Sequence, residues 1–177
     1  MRYIFIAILG LFSLSASAQF SKASIQASGL TCAMCTKAIN NALEKVAFVQ
    51  SVKSDISTSS FNVAFRPNAK VDIDQLKKAV EDAGFSVAKM KLTANFNAVA
   101  VKNDEHVSIN GTTFHFVRVS DQTLSGQKEI TMVDKNFIGG KEFKKFSAST
   151  KMACIHTGRA EACCSKKAAE RIYHVTI

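Results

Sequence analysis

The chain has 177 residues, 47% hydrophobic and 21% charged, with one Pro, no Trp, five Cys and a formal net charge of +9. So little Gly and Pro excludes collagen-like and low-complexity chains, and the apolar fraction suffices for a core, which excludes a disordered chain. The basic excess is shared evenly by the two halves, so no nucleic-acid-binding stripe is expected, and solubility or weak attraction to anionic surfaces accounts for it.

At the N-terminus, Arg2 precedes an apolar run over residues 3–12 and then Ala16-Ser17-Ala18. A basic residue, a short apolar stretch and an A-x-A site read as a secretory signal over residues 1–18, cleaved after Ala18. The run falls short of the ~20 apolar residues that span a bilayer. The expectation is therefore a periplasmic or secreted protein with no membrane span once the signal is removed. All five Cys lie beyond this segment, and an odd number in an exported chain leaves at least one for metal, a partner molecule or a free thiol.

Residues 24–28 alternate, with Ile25 and Ala27 on one side, and residues 61–65 do the same through Phe61, Val63 and Phe65; both read as half-buried strands. Between them Ile39, Leu43 and Val46 recur at helical spacing, predicting an amphipathic helix over residues 33–47, followed by an extended stretch at 49–53. A second helix is predicted over 72–83, opened by a capping box at Asp72 and Gln75 and closed by Gly84. A last strand follows at 85–92. Strand, helix, strand, strand, helix, strand is the ferredoxin-like βαββαβ order.

The chemistry of this half lies in Gly29-Leu30-Thr31-Cys32-Ala33-Met34-Cys35. Cys32 in a loop and Cys35 in the first helical turn can point at one ion, and a helix N-terminus favours the anionic sulfur that ligates metal. Two soft sulfur ligands suit Cu(I) or another thiophilic ion such as Zn(II) or Hg(II) better than Mg or Ca. A two-coordinate site on an exposed loop also admits a third thiolate from a partner, so transfer by ligand exchange is feasible.

With that helix and with Ala83-Gly84-Phe85 downstream, residues 22–92 resemble the heavy-metal-associated domain of copper chaperones, copper-ATPase modules and the periplasmic mercury-binding protein. The resemblance implies metal binding by Cys32 and Cys35, and a metal-donor or acceptor partner such as a metal-transporting ATPase. Leu30 stands where the family usually has Met, and Phe85 where soluble chaperones often carry Lys and transporter modules an aromatic residue. A thiol-disulfide oxidoreductase is the alternative reading of the pair, but the chain has no Trp, and its one Pro, Pro67, is remote from the motif. Another alternative is a metal-responsive module whose C-terminal domain binds a protein partner.

From Asn95 the pattern becomes β-rich. Strands are predicted at 96–101, 105–109, 112–119, 128–133 and 172–177, with an Asn110-Gly111 hairpin turn and a helix over 141–150. The fold class expected is α+β: a ferredoxin-like domain at 19–92, then a small β-rich domain at 93–177, OB-like in a topological sense, which implies no oligonucleotide binding. Cys154, His156, Cys163 and Cys164 crowd into one short stretch, a candidate second metal site or disulfide and a candidate acceptor for the ion held by Cys32 and Cys35. His106 and His115 flank the hairpin turn and can face each other, although surface or core roles are expected of them; His174 reads as structural. No catalytic triad, carboxylate pair or phosphate-cradling loop stands out, so no enzyme is expected.

Overall fold

In the computed structural model, residues 18–30, 33–161, 164 and 169–177 are described. The expected signal segment up to residue 17, Thr31, Cys32, residues 162–163 (Cys163 among them) and residues 165–168 lie outside the described residues. The elements in chain order are β1 (Gln19–Ser28), α1 (Ala33–Glu44), β2 (Val49–Asp55), β3 (Ser60–Phe65), α2 (Ile73–Asp82), β4 (Ser86–Val101), β5 (Glu105–Ile109), β6 (Thr112–Phe116), β7 (Gln122–Met132), α3 (Gly140–Ser147), α4 (Cys154–Thr157) and β8 (Ile172–Thr176).

The first six elements have the predicted βαββαβ order, with sheet neighbours β2-β3-β1-β4. Alternation puts Ala23, Ile25 and Ala27 of β1, Phe61, Val63 and Phe65 of β3, and Met90 and Leu92 of β4 into the core with Ile39 and Leu43 of α1 and Leu76 and Val80 of α2. Both caps of α2 form as the residues require. Asp72 accepts from the Gln75 backbone N–H at 3.2 Å, and Gly84 follows the helix at φ 89°, where an L side chain would be strained.

The second half extends the same sheet. The full order is β2-β3-β1-β4-β7-β8-β6-β5, with β6 and β8 parallel and the other neighbours antiparallel. Position 92/93, the expected division, falls inside β4. Leu92, Ala94 and Phe96 keep one alternating buried register through it, so no break in pleat separates the halves. The OB-like barrel expected for residues 93–177 is not borne out. The strands run in an open order from edge to edge, and the longer β7 and the short α4 replace part of what the sequence pattern assigned to loop.

One core serves both halves. A bulge between Phe20 and Lys22 turns Phe20 of β1 inward, and its ring lies 5.6 Å from that of Phe114 on β6. Burying a side chain of that size stabilises by roughly 1.5–3 kcal/mol. Phe114, Phe116, Tyr173 and Val175 join the helix-covered core. Because successive strand residues face opposite ways, His115 and His174 must point to the other face. There they meet a small separate cluster of Cys154, Ala160, Cys164 and Ile172. Among the described residues, no helix is long and apolar enough to cross a membrane.

Candidate metal centres

At the first centre, β1 ends at Ser28, Gly29 takes a positive φ of 82° that lets the chain leave the sheet, and α1 begins at Ala33. Leu30 packs against the core from this loop, and Phe85, at the mouth of β4, does the same. Cys35 is half-buried in the first turn of α1, beside Met34, whose side chain is 75% exposed. The first turn carries no acidic residue to compete for a cation or repel a thiolate. Cys32 lies outside the described residues, so the described half of the pair is Cys35. Thr36, next along the helix, is buried with Ile39 and Leu43, which anchors the turn that carries the sulfur.

Residues 24–86, which contain both loop cysteines, match the heavy-metal-associated domain. The copper chaperone CopZ of Staphylococcus haemolyticus (strain JCSC1435) is 33% identical over 63 residues, 36% of this chain and 91% of that protein. The chain belongs to the heavy-metal-associated domain family. The probable copper-transporting ATPase HMA5 of Arabidopsis thaliana is 28% identical over 93 residues, 52% of this chain and 9% of the ATPase. Among solved structures, a CopZ metallochaperone is 28% identical, with 38% of this chain and 100% of that one covered, at a TM-score of 0.36. The chain thus spans less than a tenth of the copper ATPases it matches, 9% and 8% of their lengths. Metal binding and copper handling are the shared character of these heavy-metal-associated relatives, and residues 87–177 fall outside the matched domain.

A second centre lies in those outer residues. The Asn110-Gly111 turn, with φ of 50° and 74°, has the left-handed pair of a two-residue hairpin and sets Ile109 opposite Thr112. Counting back along the ladder pairs His106 with His115, whose rings stack at 4.6 Å. The parallel pairing of β6 with β8 then puts His174 beside His115, with ring centroids 5.1 Å apart. Three imidazoles from three neighbouring strands therefore form a row on the face away from α1 and α2.

The α4 turn delivers Cys154 onto this row. Its Sγ lies 3.6 Å from Nε2 of His106, 3.8 Å from Nδ1 of His115 and 3.5 Å from Nε2 of His174. The outer nitrogens of two rings are held by carboxylates. His115 Nε2 is 2.8 Å from Asp104 Oδ1, which also accepts the Thr150 hydroxyl. His174 Nδ1 is 3.0 Å from Asp134 Oδ1, and Oδ2 of Asp134 accepts the His174 backbone N–H at 2.7 Å. Burial drives the His115 pKa down to about 4, reinforced by His174 and His106 and opposed by Asp104. The ring is therefore neutral at pH 7.

Asp134 is also tied to the first half of the chain. Arg171 reaches Asp134 at 3.3 Å and Asp74 of α2 at 3.0 Å, linking the helix of the metal-associated domain to the base of β8. Burial raises the Asp74 pKa, but the hydrogen bond and charge of Arg171 outweigh it and hold that carboxyl below its ordinary value.

Among the described residues singled out in the tail, Cys154 joins the imidazole row. His156, two residues on, is exposed and meets Phe143 edge-on at 6.2 Å, since positions i and i+2 of a helix point to different sides. Cys164 is buried in the same small cluster as Cys154, and Cys163 lies outside the described residues. His106, His115 and His174, expected in surface, core or structural roles, are instead the neighbours of Cys154. The signal that could have found the first two is the hairpin register: an Asn-Gly turn makes the positions four before and four after it opposite partners.

Proposed function

We propose that this protein is a metal carrier that binds a soft ion, Cu(I) foremost with Zn(II) and Hg(II) as competitors, between the thiolates of Cys32 and Cys35. It releases the ion by ligand exchange to a metal-transporting ATPase or another thiol-bearing partner. The observation that carries this reading is a Cys-x-x-Cys pair at the β1–α1 junction of a heavy-metal-associated domain, with Cys35 accessible in the first helical turn. Two sulfur donors leave a two-coordinate ion open on its solvent side. A third thiolate from the partner adds, one of the original bonds lengthens, and the ion moves without ever being released as a hydrated species. Thiolate softness favours Cu(I) over hard cations.

We also place the carrier outside the cytoplasm, on the strength of the sequence of residues 1–18, where a reducing partner must keep the pair from closing into a disulfide. The protein acts as a carrier and not as an enzyme; its chemistry is the exchange of ligands on a cargo ion. The test is competitive titration of the reduced chain with Cu(I), Zn(II) and Hg(II). A Cu(I) equivalent that a thiol-bearing acceptor can withdraw, and that Cys32→Ser and Cys35→Ser each remove, is expected. Withdrawal of the same amount from wild type and both variants would overturn the reading.

A further inference from the structure

We infer that His106, His115, His174 and Cys154 form a second, resident transition-metal site, separate from the loop pair and built from three imidazoles and one thiolate. The ligand atoms of His106, His115 and Cys154 lie within 4.8 Å of one another. His174, on the next strand, brings Nε2 to 3.5 Å from the same sulfur. With metal–sulfur bonds of about 2.3 Å and metal–nitrogen bonds of 2.0–2.1 Å, tetrahedral angles put sulfur and nitrogen ligands roughly 3.5 Å apart. The three observed separations, 3.5, 3.6 and 3.8 Å, match the sulfur–nitrogen spacing of such a ligand set.

Proton positions make the same case. A carboxylate oxygen only accepts, so Asp104 requires the proton of His115 on Nε2, and Asp134 requires the proton of His174 on Nδ1. Both rings then aim a lone pair at the Cys154 sulfur. A thiol has one proton to offer and can satisfy only one of them, whereas a cation satisfies both lone pairs and the sulfur together. Carboxylates that set the tautomer of a ligating imidazole are the usual outer shell of a metal site. Each element contributes for its own local reason: the hairpin turn aligns His106 with His115, parallel pairing aligns His174, and the short α4 lowers Cys154 onto the row.

Three imidazoles with one thiolate suit a borderline ion, Zn(II) or copper, and not Mg or Ca. Cys154, His115 and His174 have no exposed surface, so an ion here is enclosed and retained, with the half-exposed His106 as the way in.

The test is titration of the reduced full chain carrying Cys32→Ser and Cys35→Ser with Co(II), Zn(II) and Cu(I). With both loop thiols gone, the chain is expected to take up one equivalent. Bound Co(II) should show a thiolate-to-metal charge-transfer band in the near ultraviolet and visible bands of tetrahedral strength. Adding Cys154→Ser should abolish the charge-transfer band. Adding His106→Asn, at a half-exposed position, should weaken affinity by about ten-fold or more while leaving the far-UV circular dichroism of the metal-free chain unchanged. Absence of any bound equivalent in the loop-thiol double variant, a band that survives Cys154→Ser, or full affinity in a folded His106→Asn chain would each overturn the inference. Since the loop thiols are absent throughout, failure of the carrier reading and failure of this one are separate outcomes.

Discussion

The β1–α1 loop and the β5–β6–β8 row both bring cysteine sulfur to a place where an ion can sit, but one presents it and the other encloses it. In the loop, the described sulfur is half-buried next to an exposed Met34, and the proposed partner sulfur is three residues away. In the row, the sulfur is buried and its imidazole neighbours come from strands separated by up to 68 positions in sequence, from His106 to His174. Few donors at the surface permit exchange with a visiting thiolate. Several donors locked by carboxylates resist it. On the two proposals made above, the chain separates the handling of a cargo ion from the holding of a resident one by presenting one sulfur and enclosing the other.

The strongest way to break this contrast is to remove the sulfurs one site at a time. Cys35→Ser should eliminate Cu(I) withdrawal by a thiol acceptor and change the unfolding free energy by no more than about 0.5 kcal/mol, as for a replacement near the surface; a chemical-denaturation curve read beside the transfer assay checks both. A loss of fold in Cys35→Ser would erase the distinction between presented and enclosed sulfur.

Next in size is a pH effect confined to the row. Burial, helped by His174 and His106 and opposed by Asp104, lowers the folded-state pKa of His115 from 6.5 to about 4. Between those values the unfolded chain takes up a proton that the folded chain refuses. The contribution is fully present above pH 6.5 and is lost as pH falls toward 4, on the order of 3 kcal/mol in the metal-free chain. Denaturant midpoints measured from pH 7 to pH 4 should fall accordingly, and Zn(II), whose binding expels protons from its ligands, should raise the midpoint most at pH 7 and steepen the fall. A midpoint that stays level across this window in metal-free protein would count against a buried neutral imidazole.

Asp104→Asn sharpens the contrast further. Asp104 sits at φ 61°, a conformation that Asn also tolerates, so the backbone is preserved while the carboxylate charge beside His115 is removed. Zn(II) affinity at the row should weaken by roughly 10–100-fold, with Cu(I) at the loop unchanged. Equal weakening at both sites would show them to be one system.

Smaller effects come from the devices that place the two sites. Gly111→Ala forces an L side chain into a left-handed turn position at φ 74° and should cost about 1–2 kcal/mol, with Zn(II) affinity falling because the His106–His115 register loosens. Asp72→Ala removes the α2 cap and should cost about 1 kcal/mol in thermal unfolding while leaving binding at both sites intact.

Much of the first half was legible because its signals are local. The helical recurrence of Ile39 and Leu43, the capping box at Asp72 and the alternation of Phe61, Val63 and Phe65 each lie within a few residues, and each appears in the fold as the pattern requires. The loop pair is a local signal of the same kind, its two cysteines standing three positions apart in sequence. In the second half, local signals did less. The Asn110-Gly111 turn was readable, and so was the pairing it implies, but nothing near Thr93 announced that β4 would continue past that position and pair with β7. The dense Cys/His stretch drew attention to His156, which the geometry of a helical turn sends away from Cys154.

By itself, the sequence determined the ferredoxin-like order, the sulfur pair at the mouth of α1 and the hairpin that sets His106 against His115, since each follows from short-range periodicity, capping or turn chemistry. Only the tertiary structure decided that β4 carries one sheet through both halves, that His174 lies parallel to His115, and that Cys154 descends on all three rings. Strand order and parallel pairing are set by which faces bury one another across the whole chain, and that choice leaves no mark within any single segment.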